Sequence, residues 1–369
     1  MIYLDNGATS LHKPPQVRRA VLRAMTQCAS PGRGGYREAM QAARVVYQCR
    51  EEAGRLFHCL PDQIVLTHNC THGLNLAIRT LVKPGDKVIL SGFEHNAVTR
   101  PLHALGCDLK IAGKTLFDQT DTLTRMEDAL KQGASALICT HVSNVFGYIL
   151  PIEQISDLCR KYHVPLIVDA AQSAGALELD FDRLGAQFIA MPGHKGLLGP
   201  QGTGLLLCAQ PPQPLIYGGT GSDSLRQQMP EYLPDRAEAG TMNVPGIAGL
   251  AQSLRFLNNT GVTTIAQKEH RQLQATVQGL KAMGYRVFSG HPQLATVSFL
   301  PPMDCEEAAQ QLARRGIAVR AGLHCAPLAH ESAGTLQTGT VRVSFGHDAT
   351  KEQTETFLRA ATTLGRSTS

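Results

Sequence analysis

PLIVDAAQSAG (165–175) and FIAMPGHKGLLGPQGTG (188–204) each pass from an uninterrupted apolar run straight into a polar, glycine-bearing turn. Apolar runs of four or five residues without alternation suit strands buried on both faces, as in a parallel sheet covered by helices. Outward from this pair, strand-length runs recur at QIVLT (63–67), KVILS (87–91), DLKIA (108–112), ALICT (136–140), QFIAM (187–191) and GLLLC (204–208). Helical patterns fall between them at 72–82, near 97–105 and near 152–162. Strand–helix alternation over 60–210 predicts an α/β fold with a mainly parallel central sheet. A Gly/Pro/Gln-rich irregular segment spans 209–246, and a long helical pattern spans 246–284. Further strands are predicted near 285–289, 295–300, 317–320 and 340–345, with a helix at 305–315, which reads as a smaller α+β C-terminal domain. The resulting division is a large domain at 14–246 and a small one formed by 1–13 and 247–369, natural for 369 residues.

Ligands of parallel sheets gather at the carboxyl ends of the strands, so the residues just after each run are the ones to inspect. Asp169 closes one run, where its carboxylate can pair with a pyridinium nitrogen or, alternatively, cap a helix. Gln172 follows three residues later. Lys195 lies 26 residues after Asp169 in a turn with Gly193 and His194; the glycines allow a flat ring to approach, whereas a lone lysine in such a turn is more often solvated. THNCTHGLN runs from a strand end into a helix, placing Asn69, Cys70 and Thr71 where backbone N–H groups favour a phosphate, or where Thr is a plain cap. The alternation His68, Cys70, His72 hints at a metal, but side chains diverge at a helix start, and no metal is expected. His95 follows KVILS and can stack on a heteroaromatic ring and move protons. His141, Ser143 and Asn144 follow ALICT, with Asn144 placed to meet a ring hydroxyl or a carboxylate.

The chain is 43% hydrophobic and 18% charged, the balance of a globular enzyme, and its net charge of +5 is scattered without a basic run. Neither nucleic acid nor a membrane surface is therefore expected as a partner. MIYLDNGATS has no signal-peptide pattern and no apolar run approaches about 20 residues, so a cytoplasmic enzyme is expected. The ten cysteines are dispersed with no C-x-x-C pair, which argues against a disulfide framework or structural zinc. Most are expected to be small buried hydrophobes.

These residues resemble the class V aminotransferase group of pyridoxal-phosphate (PLP) enzymes, and within it the cysteine desulfurases and selenocysteine lyases of the sulfur-mobilising group II type. The resemblance runs through YLDNGATS (3–10), PGRGGYREA (31–39), THNCTHGLN (67–75), EHNAV (94–98), HVSNVFG (141–147), VDAAQSAG (168–175), GHKGLLGPQGTG (193–204), EAGTMN (238–243), VRAGLHCAP (319–327) and VRVSFG (341–346). It implies the PLP-dependent transferase fold of the aspartate-aminotransferase type (fold type I). It also implies Lys195 as the Schiff-base residue, Asp169 on the pyridine nitrogen, Gln172 on the phenolic oxygen and His95 stacked on the ring. Cys70, Thr71 and His194 would belong to the phosphate site, with Thr241 reaching across from the other subunit of a homodimer. Asn144, Arg342 and Arg320 would bind the substrate, Asn144 and Arg342 at its carboxylate.

Cys325 would be the sulfur-accepting nucleophile, with Arg320 and His324 favouring its thiolate. The implied reaction is L-cysteine to L-alanine with sulfur passed to the enzyme as a persulfide and then to a sulfur-acceptor protein. Alternatives are a selenocysteine lyase, a cysteine-sulfinate lyase, an aminotransferase, or a non-catalytic scaffold of the same fold. The chain departs from the family pattern at Pro192, where a Ser is common, at Cys70, where Thr, Ala or Gly is commoner, and at Leu323, where many group II enzymes have His.

Overall fold

The computed structural model describes residues 1–32 and 34–365; Arg33 of the PGRGGYREA stretch lies outside them. In chain order the elements begin with β1 (Ile2–Tyr3), α1 (Pro15–Gln27), α2 (Arg37–Phe57), β2 (Ile64–Thr67), α3 (Cys70–Leu81), β3 (Lys87–Ser91), α4 (Asn96–Ala104) and β4 (Asp108–Ala112). They continue with α5 (Gln119–Leu130), β5 (Ala136–Thr140), α6 (Ile152–Lys161), β6 (Leu166–Asp169), α7 (Phe181–Leu184), β7 (Phe188–Pro192) and β8 (Gly204–Cys208). The remainder is α8 (Val244–Thr260), α9 (Val262–Ala282), β9 (Arg286–Phe288), β10 (Thr296–Leu300), α10 (Cys305–Arg314), β11 (Ile317–Ala318), β12 (Arg320–Gly322), α11 (Pro327–Ala333), β13 (Thr340–Ser344) and α12 (Lys351–Ala361).

Seven strands form the central sheet in the order β2-β8-β7-β6-β5-β3-β4. β8 runs antiparallel to both neighbours and every other pair is parallel, as the apolar runs predict. Alternate residues of the inner strands feed opposite cores. Ala136 and Ile138 face α3 and α4 through Leu74, Ile78 and Leu102, while Leu137 and Cys139 face α2, α5 and α6 through Phe57, Met126 and Ile155. That double burial explains why the strands read as continuous apolar runs.

The second sheet is antiparallel, in the order β12-β13-β10-β9, and packs Val297, Phe299, Val341 and Val343 against α9, α10 and α12. The helical pattern at 246–284 is two helices parted at Gly261. α8 packs on α1 and α2, and α9 packs on α12 and the second sheet. The strand predicted at 317–320 is also two pieces: β11 pairs with β1, and β12 with β13. Residues 2–10 form a strap between the two sheets. Leu4 N donates to Ala318 O at 2.9 Å, and Ser10 N donates to His194 O at 3.0 Å. No helix among the described residues is long and apolar enough to cross a membrane.

Candidate active site

β6 ends at Asp169, which is 2% exposed. Its Oδ1 accepts from Ala171 N at 2.9 Å and from Cys70 Sγ at 3.5 Å, and its Oδ2 takes no hydrogen bond among the described residues. Burial and the Asp169 charge push the Cys70 thiol well up, so it stays protonated and acts as donor. Cys70 is also the first residue of α3. Asn69 caps that helix, its Oδ1 accepting from His72 N at 2.9 Å. The Cys70 and Thr71 N–H groups find no protein acceptor among the described residues and suit an anion. His68 and His72 stack on each other at 5.1 Å instead of joining Cys70. Among the described residues no group of three or more His, Cys, Asp or Glu side chains is arranged to hold a metal.

The turn after β7 presents Lys195. Gly193 makes this turn possible, because a Cβ there would lie 2.1 Å from Thr203 Oγ1. Burial holds the Lys195 ammonium below its ordinary range, with Asp169 pulling the other way. Its Nζ makes no hydrogen bond or ion pair among the described residues. His194 is held neutral, lowered to about 4 by burial and then by the Lys195 and Lys13 charges, and its Nδ1 lies 3.0 Å from Thr9 Oγ1.

Other expected residues lie close by, with His95 near enough to respond to Asp169, Lys195 and Arg342. His95 is the N-cap of α4 and its Nδ1 accepts from Ala97 N at 3.0 Å, which leaves the ring proton on Nε2. Gln172 Nε2 donates to Gly7 O at 3.0 Å. Arg342, 2% exposed on β13, donates from Nη1 to Asn144 O at 2.9 Å and from Nη2 to Asp5 Oδ1 at 2.9 Å. Its Nε is buried without a partner. A Cβ on Gly7 would come within 3.2 Å of the Arg342 Cζ, so the guanidinium lies directly on the strap. Arg320 grips the same Asp5 carboxylate, Nη2 to Oδ2 at 2.8 Å. Asn144 Nδ2 donates to His324 O at 2.8 Å. Thr241 stands apart, exposed in a cavity lined by His68, His72 and Asn243.

Cys325 is the one exposed residue among the ten cysteines, all of which are free thiols. Six of the others are buried and three half-buried, matching the expectation of small hydrophobes. Arg320 is close enough to Cys325 to respond to its charge. The expectation for His324 needs correction. Its ring points inward, with Nε2 3.2 Å from Thr340 O, and burial lowers it to about 2, so it carries no charge to favour a thiolate.

A family model of aminotransferase class-V matches residues 2–357. The chain belongs to the class V aminotransferase family. Among its class V relatives, a probable cysteine desulfurase of Methanothermobacter thermautotrophicus is 33% identical, covering 95% of this chain and 92% of the relative. One of Pyrococcus abyssi is 32% identical, covering 97% and 92%. An apo cysteine desulfurase of Thermococcus onnurineus superposes with a TM-score of 0.91 at 31% identity, covering 98% of this chain and 94% of the other. A cysteine desulfurase of Escherichia coli gives 0.84 at 26% identity, covering 97% and 93%.

Three residues beside these expected ones escape the sequence reading. Asp5 joins Arg320 to Arg342 although it is more than three hundred residues from either. Lys13 Nζ donates to Ser10 O at 2.7 Å and to His194 O at 3.3 Å, and burial lowers it to about 8. Glu94, wholly buried beside His95, accepts from Ser91 Oγ at 2.5 Å and from Thr140 N at 2.7 Å, and burial pushes it up to about 8. Asp5 lies within the quoted YLDNGATS stretch; Lys13 and Glu94 carry no signal in sequence that would separate them from solvated charges.

Proposed function

We propose that this chain is a PLP-dependent cysteine desulfurase that converts L-cysteine to L-alanine and keeps the sulfur on Cys325 as a persulfide. The observation that carries the reading is where the one exposed cysteine is tied down. Cys325 O accepts from Asn96 N at 2.8 Å, next to His95, and the preceding carbonyl accepts from Asn144. The names of the class V relatives support the same reading.

The residues fit the cofactor. Lys195 has an unpartnered amine, Asp169 has an open carboxylate oxygen, and the start of α3 has open N–H groups. When bound, PLP supplies a protonated pyridine ring that accepts the electron pair of the substrate α-carbon. Asp169 holds the proton at the ring nitrogen by a charge-assisted bond. Lys195 would hold the cofactor through Nζ and would, as a free amine, take up the substrate α-proton, which its lowered basicity suits. Arg342 offers its free Nε–H, and Asn144 its amide, to the substrate carboxylate. Cys325 attacks the substrate sulfur as thiolate. The S–S bond forms as the Cβ–S bond breaks, and the carbon fragment takes up a proton. The sum is cysteine plus the Cys325 thiol giving alanine plus the Cys325 persulfide.

A homodimer completes the phosphate site through Thr241 of the second subunit, and a sulfur-acceptor protein relieves the persulfide; a cytoplasmic setting follows the sequence expectation. Product analysis tests the function. Alanine and sulfide should appear in equal amounts from cysteine with a thiol reductant. A keto acid in place of alanine would establish transamination instead, and a preference for selenocysteine would establish the lyase.

A further inference from the structure

His324 and Cys325 are consecutive non-glycine residues in the left-handed region, with φ of +50° and +57°. Side chains with a Cβ are disfavoured there, and such conformations persist only where the surroundings over-determine them. Four bonds do so here. Ala326 N donates to Leu323 O at 2.9 Å and closes the turn, Asn144 Nδ2 holds the His324 carbonyl, and Asn96 N holds the Cys325 carbonyl. The fourth is the only one made by a side chain of the turn itself: the His324 imidazole at Thr340 O. Because the acceptor is a carbonyl, Nε2 carries the proton. Thr340 in turn bonds Ser298 Oγ at 3.2 Å, and Ser298 bonds Val145 O at 2.6 Å, so the anchor reaches the strand of the small sheet beneath the Asn144 loop. The outcome is a sharp division between neighbours: His324 is 9% exposed, while Cys325 faces solvent.

We propose that His324 is the positioning residue of the sulfur-accepting turn, its imidazole pinned to Thr340 so that Cys325 is held beside the His95 and Asn144 segments. This rests on the reading of Cys325 as the persulfide carrier. The backbone bonds to Asn96 and Asn144 set where the turn docks, and the buried ring sets which way it faces. Loss of the ring frees the turn to leave the left-handed region, and the thiol then samples positions away from the substrate sulfur.

The test compares holoenzyme variants His324→Ala, His324→Gln and Cys325→Ser. Gln places an amide N–H near the position of Nε2 and serves as the conservative rescue. Three quantities are read: kcat and KM with cysteine and reductant, the rate of Cys325 alkylation by iodoacetamide followed by mass spectrometry, and the absorbance band of the bound cofactor. His324→Ala should lower kcat by about 10- to 100-fold, the scale of a misplaced reacting group, with KM changed less than about threefold. Its Cys325 alkylation should quicken by about fivefold or more while the cofactor band stays, and His324→Gln should recover most of kcat.

Wild-type kcat and alkylation in a loaded His324→Ala enzyme would overturn the proposal, as would a His324→Gln variant equally impaired. If His324→Ala does not fold, His324→Gln decides alone: near-native kcat and alkylation support the anchor, and a tenfold loss overturns it. Cys325→Ser keeps the two failures apart. Full turnover in that variant removes the persulfide reading itself, whereas loss there beside a normal His324→Ala removes only the anchor.

Discussion

Lys195 and Cys325 occupy turns of opposite construction. The lysine turn is built on glycine, follows a strand of the central sheet, and is packed so closely that no Cβ fits at Gly193. The cysteine turn has side chains at its left-handed positions and lies between β12, an edge strand of the small sheet, and α11. One turn half-buries its nucleophile and the other exposes it. The difference follows from the proposed chemistry. An amine that must be neutral near pH 7 needs burial, whereas a sulfur that must be handed on needs access.

Substitutions at the two ends should break this comparison in different ways. Lys195→Ala should remove covalent cofactor, read as loss of the absorbance band, and lower turnover by about 10³-fold or more. Cys325→Ser should leave that band intact and lower alanine formation from cysteine by about 100-fold. A variant that lost both together would show that the two turns are not separate devices. Asp5→Asn sharpens the comparison, since Asp5 is shared by the arginines of both regions. Breaking a buried pair by removing one partner costs about 3–5 kcal/mol, so its thermal midpoint should fall and its KM for cysteine rise by roughly tenfold or more. An unchanged KM would show that Arg342 does not depend on the strap.

The smallest effect is one of pH. Glu94 is raised from 4.5 to about 8, so the folded state keeps a proton that the unfolded chain releases. Its contribution to stability is fully present below about pH 4.5 and is lost as pH rises through about 8. Glu94→Gln keeps an acceptor for Thr140 N and should flatten the fall of the unfolding midpoint over that range. Glu269 shifts in the same direction and to a similar value, so some slope should remain.

The central sheet was legible because its inner strands β5, β6 and β7 are apolar by continuity, whereas the edge strand β4 alternates, with Asp108 and Lys110 exposed. All seven runs match their strands to within one residue at each end. Helices α1 and α2 gave no such signal. Their buried positions are mostly small, with Ala24, Ala39, Ala42 and Ala53 in place of large apolar residues, and α2 even buries Arg50 and Glu52. The places of Asp169, Lys195 and His95 at or just after strand ends were readable from topology alone. Asp5 was not, because its meaning depends on two arginines brought to it by the second sheet. His324 was read for its charge when its geometry mattered, since burial decides a histidine's charge and sequence does not display burial.

The strap has a consequence for how the protein is made. Ile2 donates to Gly316, Leu4 to Ala318, and Asn6 to Ser344. During synthesis residues 2–10 leave the ribosome some three hundred residues ahead of these partners. At roughly 5–20 residues per second they wait tens of seconds with Leu4 and Asp5 undocked. The central sheet can close in that interval, but the Asp5 carboxylate has no guanidinium to meet until Arg320 and Arg342 are made.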